Sequence, residues 1–273
     1  MEPWSAREDE RPYIRPVRSL NPWIVVAAIG AVAWIAALYL HSAFEPPASA
    51  APPRTERASD RPAVTTPAGR LDAAVVAPSL PSLENSDSMM RDSVAGLIGP
   101  HAFAEFVVPV QLVRRIVATV DNLPRSTAAR RVMPLNAVPG GFTPDPGNSV
   151  RYVPYVRVLE ALDAHALVQG YARAYPLFQR AYEELGFPGK YFNDRLMAAL
   201  DDLLATPDLG VAPQVVRPRV LYEFADPDLE ARSAGQKILL RMGADNAARV
   251  KAKLWEVRRA LIAASSPPIP PTR

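Results

Sequence analysis

The sequence predicts an all-α protein: an irregular bundle of seven or eight helices with a small extended hairpin arm, preceded by one N-terminal transmembrane helix. Three observations carry this. Between residues 84 and 264 apolar side chains recur at helical spacing, interrupted by Gly and Pro where helices would end. Near the start, the eighteen residues from Trp23 to Leu40 contain no charge. Thirty prolines, about twice the usual share, crowd into the stretch after that segment and into the last few residues. No internal period marks a repeat array, and short connections favour an irregular bundle over a regular one.

The chain divides accordingly into a cytoplasmic tail (1–20), a transmembrane helix (21–41), a Pro/Ala-rich disordered linker (42–83), a helical extracytoplasmic domain (84–264) and a disordered tail (265–273). At about 1.5 Å per residue the uncharged run reaches about 27 Å, close to a hydrocarbon core, so residues 22–40 are expected to meet the lipid bilayer. Trp23 and Tyr39 mark its two ends, and Pro22 sits at its entrance. Arg11, Arg15 and Arg18 precede it, whereas the next strongly basic side chain is Arg54, an asymmetry that keeps the N-terminus cytoplasmic. The expected location is therefore a bacterial inner membrane, single-pass, with the C-terminal domain periplasmic. A cleaved signal peptide is the alternative, because Ala48-Ser49-Ala50 offers a small-x-small site. The linker's eight prolines and ten alanines show no periodicity and cannot bury enough surface to offset ordering.

In the folded part, Ser86 reads as an N-cap for a helix carrying Met90, Val94 and Leu97, stopped at Gly99-Pro100. A second helix covers about His101 to Val107, and a third runs from Val110 to Asn122 before Leu123-Pro124. Residues 123–150, rich in Pro and Gly, are long for a connection and read as either a functional loop or a mobile insert. Helical spacing resumes from Tyr152 to Leu162. Asp163 then caps a longer helix that carries Pro176 and ends at Gly186. An amphipathic helix follows from Lys190 to Ala205. Pro213 to Phe224 alternates valines with polar residues and reads as the hairpin arm. Asp226-Pro227 starts a helix expected to reach Met242-Gly243, and the last helix spans Asp245 to about Ala264 with a basic outer face.

Here the residues resemble a known pattern. Val120-Asp121-Asn122-Leu123-Pro124, Arg151-Tyr152, Tyr175-Pro176-Leu177-Phe178, Tyr191-Phe192-Asn193-Asp194-Arg195-Leu196, Ala225-Asp226-Pro227 and Gly235-Gln236-Lys237 together are similar to domain-of-unknown-function family 3014. The resemblance covers roughly Leu80 to Leu261. It implies a proteobacterial protein with a similar anchor, and it supplies no activity or catalytic residue to carry over. Asp145-Pro146-Gly147-Asn148 departs from the pattern.

Composition removes several chemistries. There is no cysteine, which excludes thiolate nucleophiles and disulfides, and the net charge of +3 is too small to argue for nucleic acid. His41, His101 and His165 offer no pair at ligand spacing, so no metal or cofactor is expected. Carboxylates remain. Asp194 and Asp201 share a helix face seven residues apart, with Asp202 beside Asp201 and Asn193 and Arg195 near the helix start, a set able to bind a polar ligand or exchange protons. The same residues at a helix start also serve its free amides and dipole, with Arg195 paired to a carboxylate elsewhere. Asp121 and Asn122 face the same choice between turn and ligand. Tyr171, Tyr175, Phe178 and Tyr182 form a helical stripe, which with Tyr152, Tyr155, Tyr191 and Tyr222 would line a groove or else pack in the core, and Arg151 is a further candidate for binding a ligand or partner. The leading expectation is a non-enzymatic envelope module binding a protein or cell-wall partner. The alternative is a carboxylate-dependent enzyme acting on an envelope glycan or peptide, with Asp194, Asp201 or Asp121 as acid or base.

Overall fold

The computed structural model describes residues 80–139, 141–218 and 221–265. The expected transmembrane segment, most of the linker and the residues after 265 lie outside them. No helix among the described residues is long and apolar enough to cross a membrane.

Nine α-helices and one short hairpin make up the described residues: α1 Asp87–Ile98, α2 Pro100–Phe106, α3 Leu112–Asn122, α4 Val153–Glu160, α5 Ala164–Glu184, α6 Phe192–Leu204, β1 Val215–Val216, β2 Glu223–Phe224, α7 Pro227–Glu230, α8 Ala234–Arg241 and α9 Ala244–Ser265. The fold is all-α. Two long helices organise it: α9 packs against α4, α5, α6 and α8, and α5 also packs against α3. Leu80 and Leu83 join the same core.

Helix ends follow from local chemistry. The Asp163 carboxylate accepts the amides of His165 and Ala166 at 2.7 and 2.9 Å, capping α5 and holding its own pKa below the usual range. At the far end Gly186 takes φ +112°, and the amides of Gly186 and Phe187 return to the carbonyls of Glu183 and Tyr182. The stacked Tyr182 and Phe187 rings, 4.7 Å apart, seal that turn. Pro176 lies inside α5, where it leaves the Ala172 carbonyl without its helical donor. The flanking Tyr175, Leu177 and Phe178 are all buried, and burying each such side chain is worth about 2 kcal/mol, enough to offset a cost of about 3 kcal/mol.

Three expectations need correcting. Ser86 does not cap α1 with its side chain; its hydroxyl donates to the Leu83 carbonyl at 2.8 Å. The neighbouring Asp87 instead reaches across to α3 and accepts the amides of Gln111 and Leu112 at 2.7 and 3.0 Å. The helix expected from Pro227 to Met242 is two, because Ser233 caps α8 afresh by accepting the Gln236 amide at 3.1 Å. Apart from the exposed Arg259, the basic residues of α9 are engaged rather than solvated: Lys253 is buried against the Leu162 carbonyl, Arg258 holds Asp201 at 2.6 Å, Arg249 pairs with Glu160, and Lys251 pairs with Asp208. The split helix brings the described residues to nine α-helices, above the expected seven or eight.

Residues 123–150 are built into the domain rather than appended to it. Val107 and Leu135 form an antiparallel bridge, Met133 and Val138 are buried, and Arg115 donates to the carbonyls of Arg131 and Met133. Further along, Asn148 donates to the Arg241 carbonyl at 3.0 Å. The hairpin arm is present, Val215 pairing with Phe224 and Val216 with Glu223. Arg241 anchors it from below, its guanidinium 4.9 Å from the Phe224 ring and 5.7 Å from Phe142, donating to the Tyr222 carbonyl at 2.8 Å. Burial brings its pKa down to about 9.

Candidate functional site

The strongest polar cluster forms where the end of α3 meets the starts of α6 and α8. Asp121, buried in the last turn of α3, accepts from Arg125 at 2.7 Å and from Arg195 of α6 at 3.0 Å. Arg195 also donates to the Asp121 carbonyl, so its planar fork grips one residue twice. Behind it, the amides of Ala234 and Gly235 donate to the carbonyls of Arg125 and Leu123 at 2.7 and 2.9 Å. The close approach suits a glycine at 235: a Cβ would stand 2.6 Å from Leu203 Cδ2 and 3.3 Å from the Leu123 oxygen, so Leu203 and the backbone would have to shift to admit one.

Asp202 completes the cluster from α6. Its carboxylate accepts from the Ser233 hydroxyl at 2.6 Å, and the Gln236 amide group donates to its carbonyl at 2.7 Å. Burial pushes this carboxyl above the usual range, against the opposing pull of Ser233 and of the Arg195 and Arg232 charges. Asn122 bonds to the Ala118 carbonyl, a turn role, and the wholly buried Asn193 accepts from the Tyr171 hydroxyl at 3.3 Å. Asp194 is half-buried, and Asp201 faces α9 and holds Arg258.

The remaining sequence-predicted residues lie in other surroundings. Arg151 donates to the Pro139 and Gly141 carbonyls and to Asn148, and so fastens the long loop. Tyr152 and Tyr155 are buried, the second with its ring 4.6 Å from Phe106, while Tyr191 stays exposed. Tyr171, Tyr175, Phe178, Tyr182 and Phe192 pack on one another at 5.6 to 6.4 Å. The aromatic stripe is core. Among the described residues no group of three His, Cys, Asp or Glu is arranged to hold a metal ion.

Sequence reasoning missed Arg125 and Ser233. Ser233-x-x-Gln236 is a capping-box pattern and could have been found; Arg125 needs the third dimension.

These contacts define an all-α domain whose polar cluster ties three helix ends together. The segments that meet there, residues 120–124, 191–196 and 235–237, are three of the six that carry the family resemblance. The family model described as a protein of unknown function (DUF3014) matches residues 112–258, over half of the chain, and the chain belongs to that family. No curated protein and no solved structure matches it.

Proposed function

We propose that the chain is a membrane-anchored envelope protein whose helical domain works as a non-enzymatic interaction module, binding a protein or cell-wall partner on the periplasmic side. The observation that carries the non-enzymatic half is the engagement of two of the nominated carboxylates. Asp121 is committed to Arg125 and Arg195, and Asp201 to Arg258. A general acid or base must exchange its proton with a bound substrate, and a carboxylate already clasped by guanidiniums is badly placed to do so. The uncharged run from Trp23 to Leu40, with arginines only on its N-terminal side, supports the anchor and its direction. A tether of some forty residues then supplies position and local concentration rather than chemistry.

A reporter fused after Ser265, followed by fractionation and crosslinking in intact cells, tests this reading. The expected result is a periplasmic, membrane-retained reporter and a discrete adduct. A cytoplasmic reporter overturns the topology; a soluble periplasmic one means cleavage near Ala50 and overturns the anchor.

A further inference from the structure

A cavity of about 290 Å³ lies between the start of α3, the C-terminal end of α5 and the Arg131-Val132 segment, away from the polar cluster. Part of its lining is apolar: the small side chains Ala118 and Ala181, with Val132 and Leu185. Three guanidiniums line it, from Arg114, Arg115 and Arg131, against the single carboxylate of Glu184. They are not equivalent. Arg114 is spent on Glu84 and Glu184, at 3.1 and 2.8 Å, and Arg115 on the carbonyls of Val110, Arg131 and Met133. Arg131 is exposed at the rim and takes part in none of the ion pairs among the described residues.

A second feature marks the same place. Gln111, also in the lining, has φ +53°, the one left-handed residue other than glycine among those described. Two amides, its own and that of Leu112, are pinned by Asp87, so the strained turn is held rather than relaxed. Strain of this kind persists where surrounding structure fixes it, and it clusters at ligand sites.

We infer that this cavity binds a peptide carboxylate: the free C-terminus of a chain ending in a small apolar residue. The fork of Arg131 matches a carboxylate bidentately, and the side-chain carboxamide of Gln111, which lines the cavity, is on hand for the last peptide group. Ala118 and Ala181 leave room for a methyl-sized side chain, in a volume at the small end of ligand sites. Glu184, which Arg114 and Arg180 hold below the usual carboxylate range, stays charged and would repel a doubly charged phosphate more than a single carboxylate. Proteins and cell-wall peptides both offer this chemistry, and the chirality of the last residues separates them. The inference rests on the reading of the domain as a binding module and names its ligand class.

Fluorescence polarisation on the full-length chain in detergent micelles tests it, with labelled Gly-Ala-Ala bearing a free carboxylate, its C-terminal amide, and the all-D-alanine form. Saturable binding is expected, weakened about tenfold or more by amidation and by Arg131→Gln, with the Arg131→Gln thermal midpoint unchanged. Preference for L-alanine points to protein tails, and for D-alanine to cell-wall peptides. Equal binding of acid and amide, indifference to Arg131→Gln, or no saturable binding overturns the inference. A cellular adduct that persists in Arg131→Gln cells while no peptide binds sinks the cavity and spares the module; peptide binding without any adduct does the reverse.

Discussion

At Asp121 one carboxylate fastens guanidiniums from two helices, and Arg195 is mostly buried where it meets it. Removing the charge leaves that guanidinium facing a neutral group in a site poorly reached by water. Asp121→Asn is therefore expected to lower unfolding free energy by about 3 kcal/mol, measured by urea denaturation. Adding Arg195→Met should cost less than the sum of the two single changes, because the second removes the stranded charge. Additive losses would show that the two side chains do not act as a pair. Half of this contact was legible in the sequence. Asp121, Asn193, Asp194 and Arg195 stand out as polar residues at helix ends, but which carboxylate Arg195 meets depends on α3 and α6 crossing, across 74 residues of chain.

Between elements, α6 and α8 are linked through Asp202 and Ser233, and that link has a proton dependence. The folded Asp202 carboxyl is raised above its ordinary value, so the native state holds its proton more tightly than the unfolded chain does. This site's contribution is fully present below the unfolded pKa and is lost as pH rises through the raised one. Glu160 and Asp163, both lowered, have the opposite sign, their contributions disappearing as pH falls. Urea midpoints of wild type and Asp202→Asn should consequently diverge in favour of the variant as pH rises above about 4. Parallel curves would place the Asp202 charge in water. Caps of the same general kind were unequally readable from sequence. Asp163 and Gly186 bracket a clear apolar period, whereas Ser233 hides inside a pattern that seemed continuous from Pro227. Asp87 caps a helix 24 residues away, which no local spacing can announce.

For the whole molecule, helical periodicity was enough for the all-α class and for most helices, since burial of one face leaves a regular trace. The burial of residues 123–150 left none. Met133, Leu135 and Val138 enter the core from irregular backbone, so proline and glycine content dominated the reading of that stretch. The aromatic stripe likewise looks the same in sequence whether its rings line a groove or fill a core; only their mutual packing decides. Family motifs did better than periodicity at the polar cluster, because residues far apart in the chain that meet in space can carry one shared signature.

The reach of Asp87 into α3 sets the limits of the smallest piece of this chain that can stand alone. The family signature begins at Leu112, the residue whose amide Asp87 accepts, so a fragment cut to 112–258 loses that cap together with Leu83, Met90, Phe103 and Phe106 from the core. Such a fragment is expected to aggregate or to melt without cooperativity in calorimetry, whereas one spanning 80–265 should show a single sharp transition. For this protein the border by which relatives are recognised falls inside the unit that folds.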